Sequence, residues 1–344
     1  VGSEMCIRDS KNTLRLLLFV VVVLVAALWL IESGGDSDLT EAGTPLMPDL
    51  RSVANEIDEV TVQSADQPPL TIRKSDGSWV VPDRGDYPAN VDALRTVLLA
   101  MTEAAVVEAK TANPALHERL GVDAPSAGNS TAVLVSARAG DRDFALVFGN
   151  VAQGSYRYAR IADQDQSWLI DQNPDLPAGV ADWLDKDIVD IDSSQVRSVT
   201  VSHPDGEIIT ISKAAEADTN FDVADIPEGR QLTYSTVANG IAGALNDLDL
   251  DDVRPATGSA DDAILATFET FSDLRVVART VTDGDGNWLT LDVEGLAGET
   301  EEMLALRHRV EGWEFRIADY KANLLTRRFE DILEPLPDDE STDQ

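Results

Sequence analysis

The chain has 344 residues, enough for about two domains, and at 43% hydrophobic and 26% charged residues it can bury a sizeable core. Its 62 acidic residues against 27 basic ones give a formal net charge of -35. A surface of that sign repels nucleic acid and anionic lipid, which argues against polyanion binding and favours cationic or divalent-ion partners, or solubility in a salty medium.

The opening residues, VGSEMCIRDS, do not start with Met and read like translated library-adapter sequence, so residues 1–10 are set aside as a non-native leader. Cys6, the only cysteine, goes with them, leaving no disulfide, thiol ligand or thiol nucleophile. Residues 11–32 are predicted to form a transmembrane helix. Every residue from Leu16 to Ile31 is apolar, and the run Leu14–Ile31 (residues 14–31) covers roughly 24–27 Å at a helical rise, enough for a bilayer core. Lys11 and Arg15 precede the end of this run and Glu32 and Asp36 follow it. The positive-inside rule then places the N-terminus in the cytoplasm and the bulk of the chain in the periplasm of a bacterial inner membrane. The apolar run exceeds the usual signal-peptide core and no A-x-A site follows, so an uncleaved single-pass anchor is expected.

Residues 33–54 are rich in Gly, Ser, Pro and acids and read as a tether. In residues 55–192, Val60 and Val62, then Leu70 and Ile72, alternate with polar residues, predicting a two-stranded hairpin. A D-G turn leads to a third strand at Trp79–Val81. Pro88 and Asn90 then open a helix carrying Val91, Leu94, Leu98 and Met101. TAVLVSA, FALVFG, YRYARIA and SWLID follow as strands. Residues 193–334 repeat the order. Val199 and Val201 pair with Ile209 and Ile211, and a helix is expected in YSTVANGIAGALNDL from Val237, Ile241 and Leu245. ILATFET, RVVARTV, NWLTLDV, LALRHRV and WEFRI are expected strands. Residues 335–344 are a polar acidic tail. The fold class predicted is α+β: a transmembrane helix, then two tandem duplicated units of largely antiparallel sheet with packed helices.

The V-T-V hairpin, DGSWVV, HERLGVDAPSA, FALVFGN and SYRYARI, in that order after an apolar N-terminus, resemble the bacterial domain of unknown function 4340 family over roughly residues 55–330. The resemblance implies a membrane-anchored accessory whose partners are the permease or auxiliary membrane subunits of a gliding-motility-type ABC transporter. It supplies no catalytic residues.

The residues themselves point to little chemistry. His117, His203 and His308 form no H-x-x-x-H pattern. Neither a Walker A motif, a G-x-G-x-x-G nor a G-x-S-x-G is present, so nucleotide binding and serine hydrolysis have no support. Within DGDGNWLTLDVE, Asp283, Asp285, Asn287 and Glu294 stand at the first, third, fifth and twelfth places of an EF-hand loop, and they are the calcium candidates. Trp288 occupies the place that needs Gly, and a D-G hairpin turn accounts for the same residues. Asp247, Asp249, Asp251 and Asp252 read as an exposed acidic loop. The expectation is a non-enzymatic extracytoplasmic accessory or scaffold of an ABC-type transport system, without cofactor; the alternative is a module binding an envelope polymer or a divalent cation.

Overall fold

The computed structural model describes residues 42–65, 67–126, 130–258 and 262–334. Its frame comes from period-two alternation. In Ile57–Gln63 (β1) and Leu70–Ser75 (β2), Val60, Val62, Leu70 and Ile72 are buried while their neighbours face outward. The two strands pair antiparallel, with Val60 opposite Ile72 and Val62 opposite Leu70. With Ser78–Val81 (β3), Tyr87–Pro88 (β4), Val106–Ala109 (β5), Val133–Ala139 (β6), Arg142–Val151 (β7), Arg157–Ile161 (β8) and Ser167–Ile170 (β9) they make a nine-stranded sheet in the order β4-β3-β2-β1-β6-β7-β8-β9-β5. The helix Val91–Glu103 (α1) crosses to the far edge to deliver β5. It starts where Asn90 accepts a hydrogen bond from the Ala93 N–H, and it buries Leu94, Val97 and Met101.

After Asp187–Val189 (β10), the strands Val196–Ser202 (β11), Ile208–Ser212 (β12), Asp222–Val223 (β13), Leu248–Asp249 (β14), Asp252–Pro255 (β15), Ile264–Thr270 (β16), Leu274–Asp283 (β17), Gly286–Gly295 (β18) and Trp313–Ile317 (β19) follow. All but β10 and β14 form an eight-stranded sheet, β13-β12-β11-β16-β17-β18-β19-β15. Apart from β4, its order follows that of the first sheet strand for strand. β10, which precedes the second sheet in sequence, and β14, which falls between β13 and β15, form a small ladder of their own.

One continuous cluster of buried side chains runs through both sheets, so they are not separate bodies. At the seam Tyr87 meets Trp313 edge-on at 5.0 Å and Phe315 at 6.2 Å, and its hydroxyl donates to the Asp185 carbonyl at 3.0 Å. Arg84 donates to Asp252 through Nε at 2.5 Å and Nη2 at 3.3 Å. Gly85 turns the chain there with φ +71°, and a Cβ on it would collide with Pro255.

These observations correct the α+β expectation: the described residues are mostly antiparallel sheet. The segment expected as the second unit's helix is helical only at Asn239–Ala242. Gly240 and Gly243 each cost about 1 kcal/mol against Ala in a helix, and Lys321 Nζ takes the carbonyls of Ala244 and Asn246. LALRHRV is not a strand but most of the helix Glu301–Val310 (α2). Thr300 caps it, Glu301 and Glu302 open it, and Arg307, His308 and Arg309 close it, each suiting the helix dipole. Residues 43–53 are not a free tether. Leu46 N–H bonds to the Ala104 carbonyl, and Leu46, Met47, Leu50 and Val53 are buried. Among the described residues no helix is long and apolar enough to cross a membrane. The run Leu14–Ile31 expected to do so lies outside the described residues, as do residues 1–10 and 335–344.

Two stability tests follow from the seam. Tyr87→Ala removes a ring packed between both sheets and should cost about 3–5 kcal/mol in urea unfolding. Asp249 faces Asp187 directly across the β10–β14 ladder, and partial burial first, then that neighbour, raises its carboxyl above the ordinary value. A raised acid favours the folded state at low pH, and that benefit is lost as pH rises. Asp249→Asn should therefore stabilise by roughly 0.2–1 kcal/mol at pH 7 and by nothing once Asp249 is protonated, read from melting curves across pH.

Candidate functional site

A large cleft arises where two ladders of the second sheet end at different places. β17 and β18 pair over their whole length, from Leu274 opposite Gly295 to Asp283 opposite Gly286. On its other side β18 pairs with β19 only at Asn287, Trp288 and Leu289. Beyond Leu289 the ladder with β19 stops, and Thr290–Gly295 has no paired strand on that side. The chain leaves through a turn in which a Cβ on Gly295 would run into the Gly298 carbonyl, then forms α2 and re-enters at Gly312 as β19. The corresponding connection in the first sheet, between β8 and β9, is only residues 162–166.

The resulting cleft has a volume of about 670 Å³. Val277, Arg279, Leu291, Val293, Val310 and Trp313 are among its walls. Leu291 and Val293 are each only 4% exposed and belong to the core, yet both line the cleft. Arg307 Nε donates to the Val293 carbonyl at 3.1 Å, partly substituting for the missing strand, while its Nη1 donates to Glu299 at 3.1 Å. Arg279 Nε donates to Asp292 across the strands at 3.0 Å.

Next to the cleft, a smaller cavity of about 90 Å³ is walled by an Arg-Trp-Glu group. The Arg254 guanidinium stacks on Trp288 at 3.7 Å and donates to Glu314 at 2.6 Å and to Asp283 at 3.4 Å. The Glu314 side chain is 8% exposed and also accepts from the Thr257 N–H and hydroxyl, both at 2.9 Å. Burial opposes its charged form, but the Thr257 donors and Arg254 outweigh it and hold the carboxyl below its ordinary value. This arrangement clamps β15 to β19 and satisfies the Glu314 carboxylate in the cavity wall.

The sequence candidates lie elsewhere. Asp283, Asp285 and Asn287 share the tight end of the β17–β18 hairpin. There Asp283 accepts the Asp285 N–H at 2.8 Å, and the Asn287 amide donates to Asp319 at 2.9 Å. Glu294 stands at the other end of the hairpin, opposite Arg275 and 3.6 Å from it, roughly 25 Å away at strand spacing. The structure does not bring the four together. Among the described residues no group of three or more His, Cys, Asp or Glu is placed to hold a metal ion. His117 and His203 are buried, bonded through Nε2 to the carbonyls of Asp165 and Arg327, and His308 is exposed on α2 rather than in the strand expected for it. The acidic run is not a single loop: Asp249 lies in β14, and Asp252 lies in β15 and binds Arg84. Arg279 and Arg307 of the cleft and Arg254 and Glu314 of the cavity beside it were not singled out from sequence. The one available signal was the unequal length of the two connections, residues 162–166 against residues 296–312.

The family model described as Domain of unknown function (DUF4340) matches residues 79–267, more than half of the chain. That stretch runs from β3 to β16 and ends before the hairpin that carries the cleft. No curated protein and no solved structure matches the chain.

Glu314→Gln keeps the shape of the clamp and removes its charge. It should destabilise by about 1–3 kcal/mol at pH 7. Because the folded carboxyl titrates below its ordinary 4.5, the wild-type advantage is complete above that value and is lost as pH falls through the folded one. Urea unfolding at pH 7 and pH 3 should show the gap between the two proteins closing.

Proposed function

The chain belongs to the DUF4340 family, a domain of unknown function, and from that premise we propose that it is a non-enzymatic docking accessory of an ABC-type transport system. Its place is the periplasmic side of the bacterial inner membrane, an assignment that rests on residues 14–31 of the sequence and the charges around them. Its partners are the permease or auxiliary membrane subunits of the transporter, as the family resemblance implies. ATP hydrolysis belongs to another subunit.

The observation that carries the docking role is the open half-edge of β18, Thr290–Gly295, at the wall of a 670 Å³ cleft. An unpaired strand edge beside a cleft is a surface made for polypeptide rather than for a reacting small molecule. The charged groups of the cleft and of the cavity next to it support the same reading. Glu314 and Arg254 satisfy each other, as do Arg279 and Asp292, which leaves a wall rather than an acid and base poised toward a substrate.

A photo-crosslinking residue at Glu311, on the rim, tests this in the native host. The expected product is a covalent adduct with a membrane subunit of a transporter, absent when the crosslinker is placed at Asp58 in β1. A transporter that assembles and works unchanged in cells lacking this protein would overturn the assignment.

A further inference from the structure

We propose that the half-edge of β18 takes an extended basic segment of a partner polypeptide as an added β-strand. This rests on the docking reading above and names the chemistry of what docks. The backbone geometry comes first. Val293 turns its carbonyl away from β17, since Arg307 reaches it from the α2 side. Strand alternation then turns the N–H and C=O of Leu291 to the same side. Both residues wall the cleft while their side chains are buried. Thr290–Gly295 spans roughly 20 Å at strand spacing, room for a partner strand of ordinary length.

Charge selects the occupant. Along this edge Asp292 and Glu294 point outward with side chains 59% and 60% exposed, and Glu311 lines the cleft opposite them. Asp292 and Glu294 already bridge to Arg279 and Arg275 of β17, at 3.0 and 3.6 Å, but their exposure leaves each carboxylate open on the side away from β17, and Arg307 is held by Glu299. A strand laid beside β18 sets every second side chain next to Asp292 and Glu294, where Lys or Arg is stabilising and Asp or Glu is not. The net charge of -35 draws the same class of partner from a distance. A second copy of this chain is disfavoured, because pairing two such edges sets their carboxylates against each other. The edge from Thr290 to Gly295, TLDVEG, holds no Lys or Pro, residues that commonly block edges against incoming strands.

The test uses the full-length chain and an alternating Lys-Val peptide of about ten residues, with two controls: an alternating Glu-Val peptide and the Lys-Val peptide N-methylated at alternate residues. Binding is read by fluorescence anisotropy and located by hydrogen exchange. The Lys-Val peptide should bind and should slow exchange at residues 290–295. The Glu-Val peptide should not bind, and N-methylation, which removes strand donors but no charge, should weaken binding at least about tenfold. Asp292→Asn with Glu294→Gln, both exposed, should weaken it about tenfold while the melting temperature holds. Equal binding of the N-methylated peptide, or protection located away from 290–295, overturns the proposal by showing bulk charge attraction. Protection of 290–295 without peptide also overturns it, and concentration dependence then separates a second copy from a segment of the same chain. The outcome is independent of the crosslinking result. Peptide binding without a transporter adduct removes the transport assignment only, and an adduct without peptide binding removes the basic-strand assignment only.

Discussion

Each strand in an antiparallel sheet can bond on two sides, so a strand that outruns its neighbour leaves N–H and C=O groups that must find other partners. Here β18 outruns β19 by Thr290–Gly295, and the surroundings follow from that mismatch. α2 packs against β18 beyond the end of the β18–β19 ladder, burying Met303 and Val310. Arg307 turns back to take one of the stranded carbonyls, at Val293. The cleft lies beside this edge, lined by Leu291 and Val293 although both belong to the core.

The same logic explains why the cleft belongs to the second sheet. In the first, β8 spans Arg157–Ile161, and β9 pairs with it from Arg157 to Arg160, so little edge is left over. The short connection across residues 162–166 has no room for a helix. The two sheets share a strand order, yet only one keeps a long hairpin beyond its last neighbour. The Arg254-Glu314-Thr257 clamp becomes intelligible in this setting. It fixes β15 against β19 where β19 begins, holding the end of the shorter strand in place beside the overhang of the longer one.

Local patterns were legible in the sequence and long-range ones were not. The V-T-V strands and α1 could be read because period two and a capped period near 3.6 are written within a few residues of each other. Residues 304–310 misled because L-A-L-R-H-R-V alternates well enough for a strand. The decisive signs, Thr300 as cap and the charge order along the segment, lie partly before it. Val237, Ile241 and Leu245 have helical spacing, but Gly240 and Gly243 between them weaken the helix, and a buried lysine from a distant segment finishes its carbonyls. The EF-hand spacing of Asp283 to Glu294 is a pattern of sequence distance only. In a hairpin those twelve residues run out along a strand instead of closing around an ion. The cleft was the least legible feature. It depends on the difference between two registers, β17–β18 and β18–β19, and neither is written in any one segment.

The overhang also raises a question of survival, because an open edge invites aggregation. Asp292 and Glu294 answer it without closing the edge. Two copies meeting there bring like charges together, and in a chain of net charge -35 every encounter between copies starts out repulsive. The same acids that turn away a second copy admit a basic strand, so protection and selectivity come from one pair of residues. A lysine in their place would guard the edge just as well but would reverse the class of partner. The sign of the guard is therefore the most informative property of the edge, more so than its length or the volume beside it.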